Sequence, residues 1–488
     1  MVIRSPRSSD EVAAQADVAA AAFGPDALSE PWRDRYRAIE QLFGRDAFLV
    51  VEEDGRFVSA CTCLPAPVWV GDRRLTLGAV GGVATLPDYR RRGYAGELMR
   101  AVVRRMQELG LATSALWPFS YAYYRKFGWD FGCEHRTYRF DPTKIGPLPE
   151  PDGVEPLQAG DLPEVVDLFS AYARTLAFCT DRSQRWWQEL LRNKGVAPFA
   201  PEEKATSRMI IYREGGEVVG YALYTPPAGE ERRLNVAELV ASGPEARMRL
   251  LAALAREEPA EITFRAPADD RFRAQVPDPR QVATMLEPGF AFRIVDPVVA
   301  LALLPPPPGL RGAIAFTLDD PARPDEPLRV TVEVSDGELV TSASRTMHSA
   351  APMRLHAEIA SFSQIYTGYL RPTGLLWRCR RTAIVKSTVW ASLRGQIRHG
   401  DLAQDRPDGT ARVQRHCPTP LRPFVLFNES GCASCTSPWR HYCPADCYRS
   451  AALCAGSLSQ ESGHPSGLRG TRSMYGRVGI RRYQEQEM

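Results

Sequence analysis

The chain has 488 residues, 44% hydrophobic and 24% charged, with a formal net charge of +3. Those proportions belong to a globular protein and exclude collagen-like or low-complexity classes. No apolar run of about 18 residues occurs, so no membrane span is predicted. At roughly 150 residues per domain the length suggests about three domains.

The N-terminal stretch "MVIRSPRSSDEVAAQ" carries acids early and lacks an apolar signal core, which predicts no secretion signal and a cytoplasmic location. Residues 47–64 read as a hairpin turning at Asp54-Gly55, and a further strand is expected over about 75–85. In "VATLPDYRRRGYAGELMRAVVRRM", Val83 to Met106, the apolar strand gives way to three arginines, a glycine and a helix. Ala95, Leu98, Met99, Val102, Met106 and Leu109 place one buried stripe on that helix. A strand is expected over 111–118, a short helix over 120–129 closed by Gly128, and a returning strand in "WDFGCEHRTYRF". Residues 1–145 therefore read as an α/β layer unit with a mainly antiparallel sheet.

The same order recurs in 146–295. A hairpin at 209–225 turns at Gly215-Gly216, and "LNVAELVASGPEARMRLLAALA" (234–255) repeats strand, turn and helix, followed by the strand "AEITFRAP". The second copy has "PEARMR" where the first has "RRRGYA", so it should keep the scaffold and lose the charged loop. Residues 296–374 read as a small α+β domain. It follows the polyproline stretch "LPPPPG", with three strands and an amphipathic helix over 351–370.

The chemistry concentrates at the first strand-to-helix junction. A helix N-terminus carries partial positive charge and unpaired N–H groups, so added arginines are unfavourable unless an anion is expected. Arg90, Gly93 and Ala95 stand as R-x-x-G-x-A, and Gly93 has no side chain to obstruct a phosphate. The N–H groups of Arg91, Arg92, Gly93, Tyr94, Ala95 and Gly96 would form a cradle for a pyrophosphate. From "RRRG" alone, a solvated basic helix start reads equally well.

Downstream come Trp117-Pro118, Phe119, Ser120 and "YYRKFGW". The succession strand, "RRRGYA", helix, strand, "YxxFG(W)" resembles the GNAT acyltransferase superfamily, whose members bind acetyl-CoA. The resemblance implies that the backbone of Val83, Ala84 and Thr85 holds the pantetheine and polarises the thioester carbonyl. It also implies that Arg91 to Gly96 hold the pyrophosphate, that Phe119 and Ser120 line the cofactor's other side, and that Tyr124 protonates the departing thiolate. Tyr121 and Tyr123 read as packing residues.

Two tandem GNAT folds, the second degenerate, followed by a domain similar to the sterol-carrier-protein fold, resemble the enhanced-intracellular-survival (Eis) family over roughly residues 1–374. "FRIVDPVVALAL" (292–303) is similar to that family's passage into its third domain. The resemblance implies acetylation of aminoglycoside or lysine-type amines, a homohexamer, and a general base supplied by the chain's terminal carboxylate. The positional counterpart of that base here is Met488. A small-molecule amine acceptor is expected, with no metal and no nucleic acid. A non-catalytic acyl-CoA-binding protein is the alternative reading.

Residues 375–488 depart from the family. Through residue 374 there are 44 Lys+Arg against 50 Asp+Glu and four cysteines; beyond it there are 17 against 8 and seven cysteines. Hydrophobic periodicity fades at the same point. The change has the character of a GC-rich gene read out of frame, and this tail is expected to be disordered. The base would then be compromised and amine acetylation reduced, with cofactor binding retained. The rival reading is a zinc module on Cys432, Cys435, Cys443 and Cys447, spaced C-x2-C-x7-C-x3-C, although no apolar run flanks it.

Elsewhere, one of Trp186 and Trp187 is expected in the core and the other is a candidate for a substrate cleft. Asp26 and Glu30 form an acidic N-terminal loop that could attract a cationic amine or simply be solvated. Cys61 and Cys63 read as buried small residues. His348 and His356 read as structural.

Overall fold

The long hairpin founds the first sheet. β2 (Phe48–Glu53) and β3 (Arg56–Val70) are almost wholly buried, and the turn between them places Asp54 and Gly55 at φ of 50° and 76°. The computed structural model describes residues 1–23, 29–304, 309, 311–335, 337–343, 353–370 and 422–423, all within one unit spanning Met1–Trp439. The expectations for Asp26, His348, the four-cysteine motif and Met488 fall outside these residues.

In chain order, β1 (Val2–Arg4) precedes α1 (Ser9–Phe23), α2 (Ser29–Phe43) and the hairpin. Then come β4 (Arg73–Thr85), α3 (Tyr94–Glu108), β5 (Thr113–Leu116), α4 (Tyr121–Arg125), β6 (Asp130–Phe131) and β7 (Glu134–Phe140). The second copy comprises β8 (Val154–Pro156), α5 (Leu162–Arg174), β9 (Leu176–Thr180), α6 (Gln184–Asn193), β10 (Arg208–Glu214), β11 (Glu217–Ala228), β12 (Arg233–Ala241), α7 (Pro244–Ala255), β13 (Glu261–Pro267), β14 (Ala283–Pro288) and β15 (Ala291–Ile294). A last group holds α8 (Pro297–Ala302), β16 (Gly312–Asp320), β17 (Arg323–Ser335), β18 (Glu338–Ala343), β19 (Met353–Glu358) and α9 (Ile359–Tyr366).

The two copies exchange strands. The first sheet runs β1-β2-β3-β4-β5-β15-β6, and the second runs β14-β7-β13-β12-β11-β10-β8. β7 follows α4 in sequence yet lies between β13 and β14, while β15 returns to pair with β5 (Ala291↔Leu116 to Ile294↔Thr113). A boundary near residue 145 therefore separates neither sheet. The strands trade places where Gly132 N donates to Phe290 O at 3.0 Å and Gly289 N donates to Cys133 O at 2.9 Å. The single run expected in "WDFGCEHRTYRF" is two strands in two sheets, divided at Gly132-Cys133.

The third region is a four-stranded sheet, β18-β17-β16-β19, with β19 parallel to β16. The helix expected over 351–370 begins only at Ile359. Arg354, His356 and Glu358 are exposed and alternate with buried Leu355 and Ala357, and that period of two makes a strand. Phe316, Leu318, Leu355 and Phe362 join Phe178 and Phe292 in one core with the first sheet. Among the described residues, no helix is long and apolar enough to cross a membrane, and no group of three or more His, Cys, Asp and Glu side chains could hold a metal ion.

Candidate active site

β4 and β5 run parallel only from Leu77↔Thr113 to Val80↔Leu116. Beyond Val80, β4 continues to Thr85 without β5, so the sheet opens as a V along the edge that carries Val83, Ala84 and Thr85. Its opposite edge stays anchored: Ser59 Oγ donates to Ala84 O at 2.7 Å, and Ser59 and Thr85 pair with each other. The β3–β4 register shifts between Ala60 and Thr62, whose partners are Ala84 and Gly81, leaving one extra residue on β4. Gly82 sits in this bulge at φ 56°, and Tyr36 of α2 fills the space where a Cβ would stand. The Tyr36 hydroxyl is buried there with no partner among the described residues.

The loop after β4 closes onto α3. Arg91 and Gly93 both take left-handed backbone conformations, φ 64° and 86°, and Gly93 is the N-cap of α3 without a side-chain cap. The first bonds to the cap run from Gly96 N and Glu97 N to Gly93 O. The N–H groups of Arg91, Arg92, Gly93, Tyr94 and Ala95 have no acceptor among the described residues, so a run of donors ends in an open helix N-terminus. An ideal Cβ on Gly93 would meet nothing within 4 Å, so the glycine is required by its backbone conformation and not by crowding. These features fit a diphosphate.

The arginines divide their work. Arg90 donates to Ala22 O at 3.1 Å and to Thr85 O at 3.3 Å, tying the loop to α1 and β4. Arg92 reaches Asp88 O at 3.0 Å and lies over the Tyr89 ring. Arg91 is exposed and makes no bond among the described residues. Tyr94 offers only its main chain: its side chain is buried and its hydroxyl donates to Glu53.

Across the opening, Ser120 caps α4 by accepting from Tyr123 N at 3.3 Å. Tyr124 is 3% exposed, its hydroxyl has no hydrogen bond among the described residues, and burial pushes its pKa well above that of an ordinary phenol. It therefore holds its proton at any physiological pH, as a proton donor must. Phe119 is 72% exposed, and its ring lies 5.2 Å from those of both Tyr123 and Tyr124, an aromatic shelf beside the V. Tyr121 donates to Gly289 O at 2.5 Å and serves the strand exchange.

The second copy keeps the V and lacks the cradle. β12 and β13 pair only to Val236↔Phe264 while β12 runs on to Ala241. Its helix starts from Gly243 at φ −163°, ordinary extended backbone, with Glu245 in the first turn. Arg247 of that turn bonds Asp270, beyond β13, at 2.9 Å. What this helix start lacks is the left-handed glycine and the arginine-rich loop found before α3.

Residues 3–132 match the family model described as acetyltransferase (GNAT) domain, and residues 179–294 match a second model of the same description. The chain carries two GNAT domains. An uncharacterized N-acetyltransferase of Streptomyces griseus is 26% identical over 230 residues, 43% of this chain and 54% of the relative. The chain thus spans about half the length of the curated relatives it matches. Among solved structures, the fold is similar to that of a probable N-acyltransferase of Enterococcus faecalis (TM-score 0.67, 19% identity, 80% of this chain and 96% of that one). It is also similar to a GCN5-related N-acetyltransferase of Anabaena variabilis (0.67, 17%, 82% and 98%) and to Eis1 of Mycobacterium abscessus (0.62, 20%, 81% and 95%).

Of the residues expected at the site, Val83, Tyr94 and Tyr124 belong to one packed cluster with Phe127. Trp187 is wholly buried, while Trp186 lines a cavity between α2 and α6 with Trp32, Leu42 and Phe43; nothing in that cavity identifies a substrate. Tyr36 and Glu53 escaped sequence reasoning. Both act through residues distant in sequence, Gly82 and Tyr94, and no local motif marks them.

Proposed function

We propose that the chain is an acetyl-CoA-dependent N-acetyltransferase of the Eis kind, acting on aminoglycoside or lysine-type amines. The observation that carries this reading is the run of unpaired N–H groups from Arg91 to Ala95 at an uncapped helix start, set beside a V whose far side presents Tyr124. In this reading the α3 N-terminus and Arg91 grip the diphosphate, and Val83, Ala84 and Thr85 align the pantetheine along the free edge of β4. Phe119 and Ser120 line the opposite wall, and Tyr124 gives its proton to the leaving sulfur. Bound acetyl-CoA supplies the activated acetyl group. A sterol-carrier-protein-like third domain, a homohexamer and a cytoplasmic location complete the proposal.

The test is thiol release from acetyl-CoA with a polyamine acceptor, in the wild type and in Tyr124→Phe. Release should depend on the acceptor and fall by about 10²-fold or more in the variant. Tight coenzyme A binding without any release would turn the reading to the non-catalytic acyl-CoA-binding protein.

A further inference from the structure

Among the described residues, Arg293 is a fully buried cation whose place in the fold the acetyl-transfer reading leaves unexplained. It lies on β15, the strand exchanged into the first sheet, and is 0% exposed. Its Nη2 donates to both carboxylate oxygens of Asp320 at 2.8 Å, and Asp320 closes β16 in the third region. Its Nη1 donates to Phe127 O at 2.6 Å, and its guanidinium carbon lies 5.3 Å from the centre of the Trp129 ring. Between those two residues, an ideal Cβ on Gly128 would stand 1.6 Å from Arg293 Nη1 and 2.9 Å from Ile359 Cγ2 of α9.

Phe127 and Trp129 in turn hold the tyrosine. Phe127 N donates to Tyr124 O at 3.0 Å, and Trp129 N donates to the same oxygen at 3.3 Å. The Trp129 indole reaches Ser114 Oγ at 3.1 Å, and Ser114 donates to Gly78 O at 2.6 Å, both at the closed base of the V. A second tie from the third region, Ile294 N to Ser363 Oγ at 2.9 Å, fixes β15 from the α9 side.

We propose that Arg293 and Asp320 are positioning residues for Tyr124, through which the third domain fixes the turn after α4. The proposal rests on the role given to Tyr124 above. α4 has five residues, too few to hold a helical position by itself, so its anchors decide where the tyrosine points. A buried ion pair is no better than a well-packed apolar pair as a source of stability. What it supplies is direction: the planar guanidinium holds Asp320 with one arm and the Phe127 carbonyl with the other.

The experiment uses the full chain. Arg293→Met/Asp320→Leu replaces both partners at once and leaves no stranded charge; it is compared with Tyr124→Phe and with the triple variant. The expected result is a fall of ten- to about 100-fold in kcat for thiol release, with KM for acetyl-CoA within about twofold. That loss disappears when Tyr124 is already Phe, because both changes disable one function. Hydrogen exchange of segment 121–129 rises at least tenfold, while α3 is unchanged. Arg293→Lys keeps the charge that Asp320 needs and loses the fork, so it reads the same claim if the apolar pair does not fold. An undiminished kcat, or a loss that persists in full beside Tyr124→Phe, overturns the proposal. If the wild type binds coenzyme A but releases no thiol with any amine, the functional reading fails by itself; unchanged exchange across 121–129 then overturns the positioning role.

Discussion

Gly82 and Tyr36 compete for one small space: an ideal Cβ on Gly82 would stand 2.5 Å from the Tyr36 hydroxyl oxygen, and the glycine holds φ at 56°. The bulge in β4 thus depends on a missing side chain facing a buried phenol. Gly82→Ala should cost about 1–3 kcal/mol, from the left-handed backbone and the clash. Tyr36→Phe should cost less than about 0.5 kcal/mol, or stabilise, because the deleted hydroxyl has no partner. Urea midpoints check both; equal losses would contradict the packing described.

The two GNAT domains provide their own control at the helix start. Gly93→Ala must force an alanine to φ 86° and should weaken coenzyme A binding at least tenfold, at a stability cost of about 1 kcal/mol. Gly243→Ala stands at φ −163° with nothing within 4 Å of the new Cβ, and should leave both quantities unchanged within about 0.5 kcal/mol. Calorimetric titration of the two variants distinguishes a cradle from a generic helix cap.

Neighbouring arginines should separate by readout. Arg90→Ala removes the tie to Ala22 O and Thr85 O and should lower the thermal midpoint. Arg91→Ala touches no bond among the described residues, so it should leave the midpoint unchanged, weaken coenzyme A binding, and flatten its salt dependence. Loss of midpoint in both, with affinity unmoved, would contradict the division.

The pH dependence follows from two carboxylates and one phenol. Glu287, drawn down to about 2 chiefly by the His135 imidazole 3.6 Å away, with the Thr137 hydroxyl donating to it, and Glu11, drawn down to about 2 chiefly by Arg4, ionise more readily in the fold than at the ordinary 4.5. Each therefore adds stability that is complete above about pH 4.5 and lost as the pH falls towards 2. Glu287→Gln should be less stable than the wild type at pH 6 and indistinguishable from it near pH 2. Burial raises the Tyr124 pKa, so no alkaline limb of kcat below about pH 10 should disappear in Tyr124→Phe.

The sequence displayed the first unit well because its signals are local. Asp54-Gly55, the spacing from Leu98 to Met106, and Gly93 before a helix each announce their structure within a few residues, whereas Leu109, expected on the same buried stripe, is 46% exposed beyond the end of α3. The exchange of β7 and β15 is not local: it depends on Gly132 and Gly289 crossing at a sequence separation of more than 150 residues. The strand at Met353–Glu358 was hidden for another reason, since its alternation runs directly into the helical spacing of Ile359, Phe362 and Ile365. In the site, the main-chain cradle and Tyr124 were legible as motifs. Tyr36, Glu53 and the Arg293–Asp320 pair were not, because each is defined by a partner that folding alone brings near.

In the proposed mechanism the amides from Arg91 to Ala95 hold the diphosphate of coenzyme A. Isothermal titration of coenzyme A into the full chain reads that contact without any need for turnover. Saturable one-site binding in the micromolar range is expected, weakened at least tenfold in Gly93→Ala. Absence of binding at millimolar coenzyme A, or affinity equal in Gly93→Ala and wild type, would contradict it.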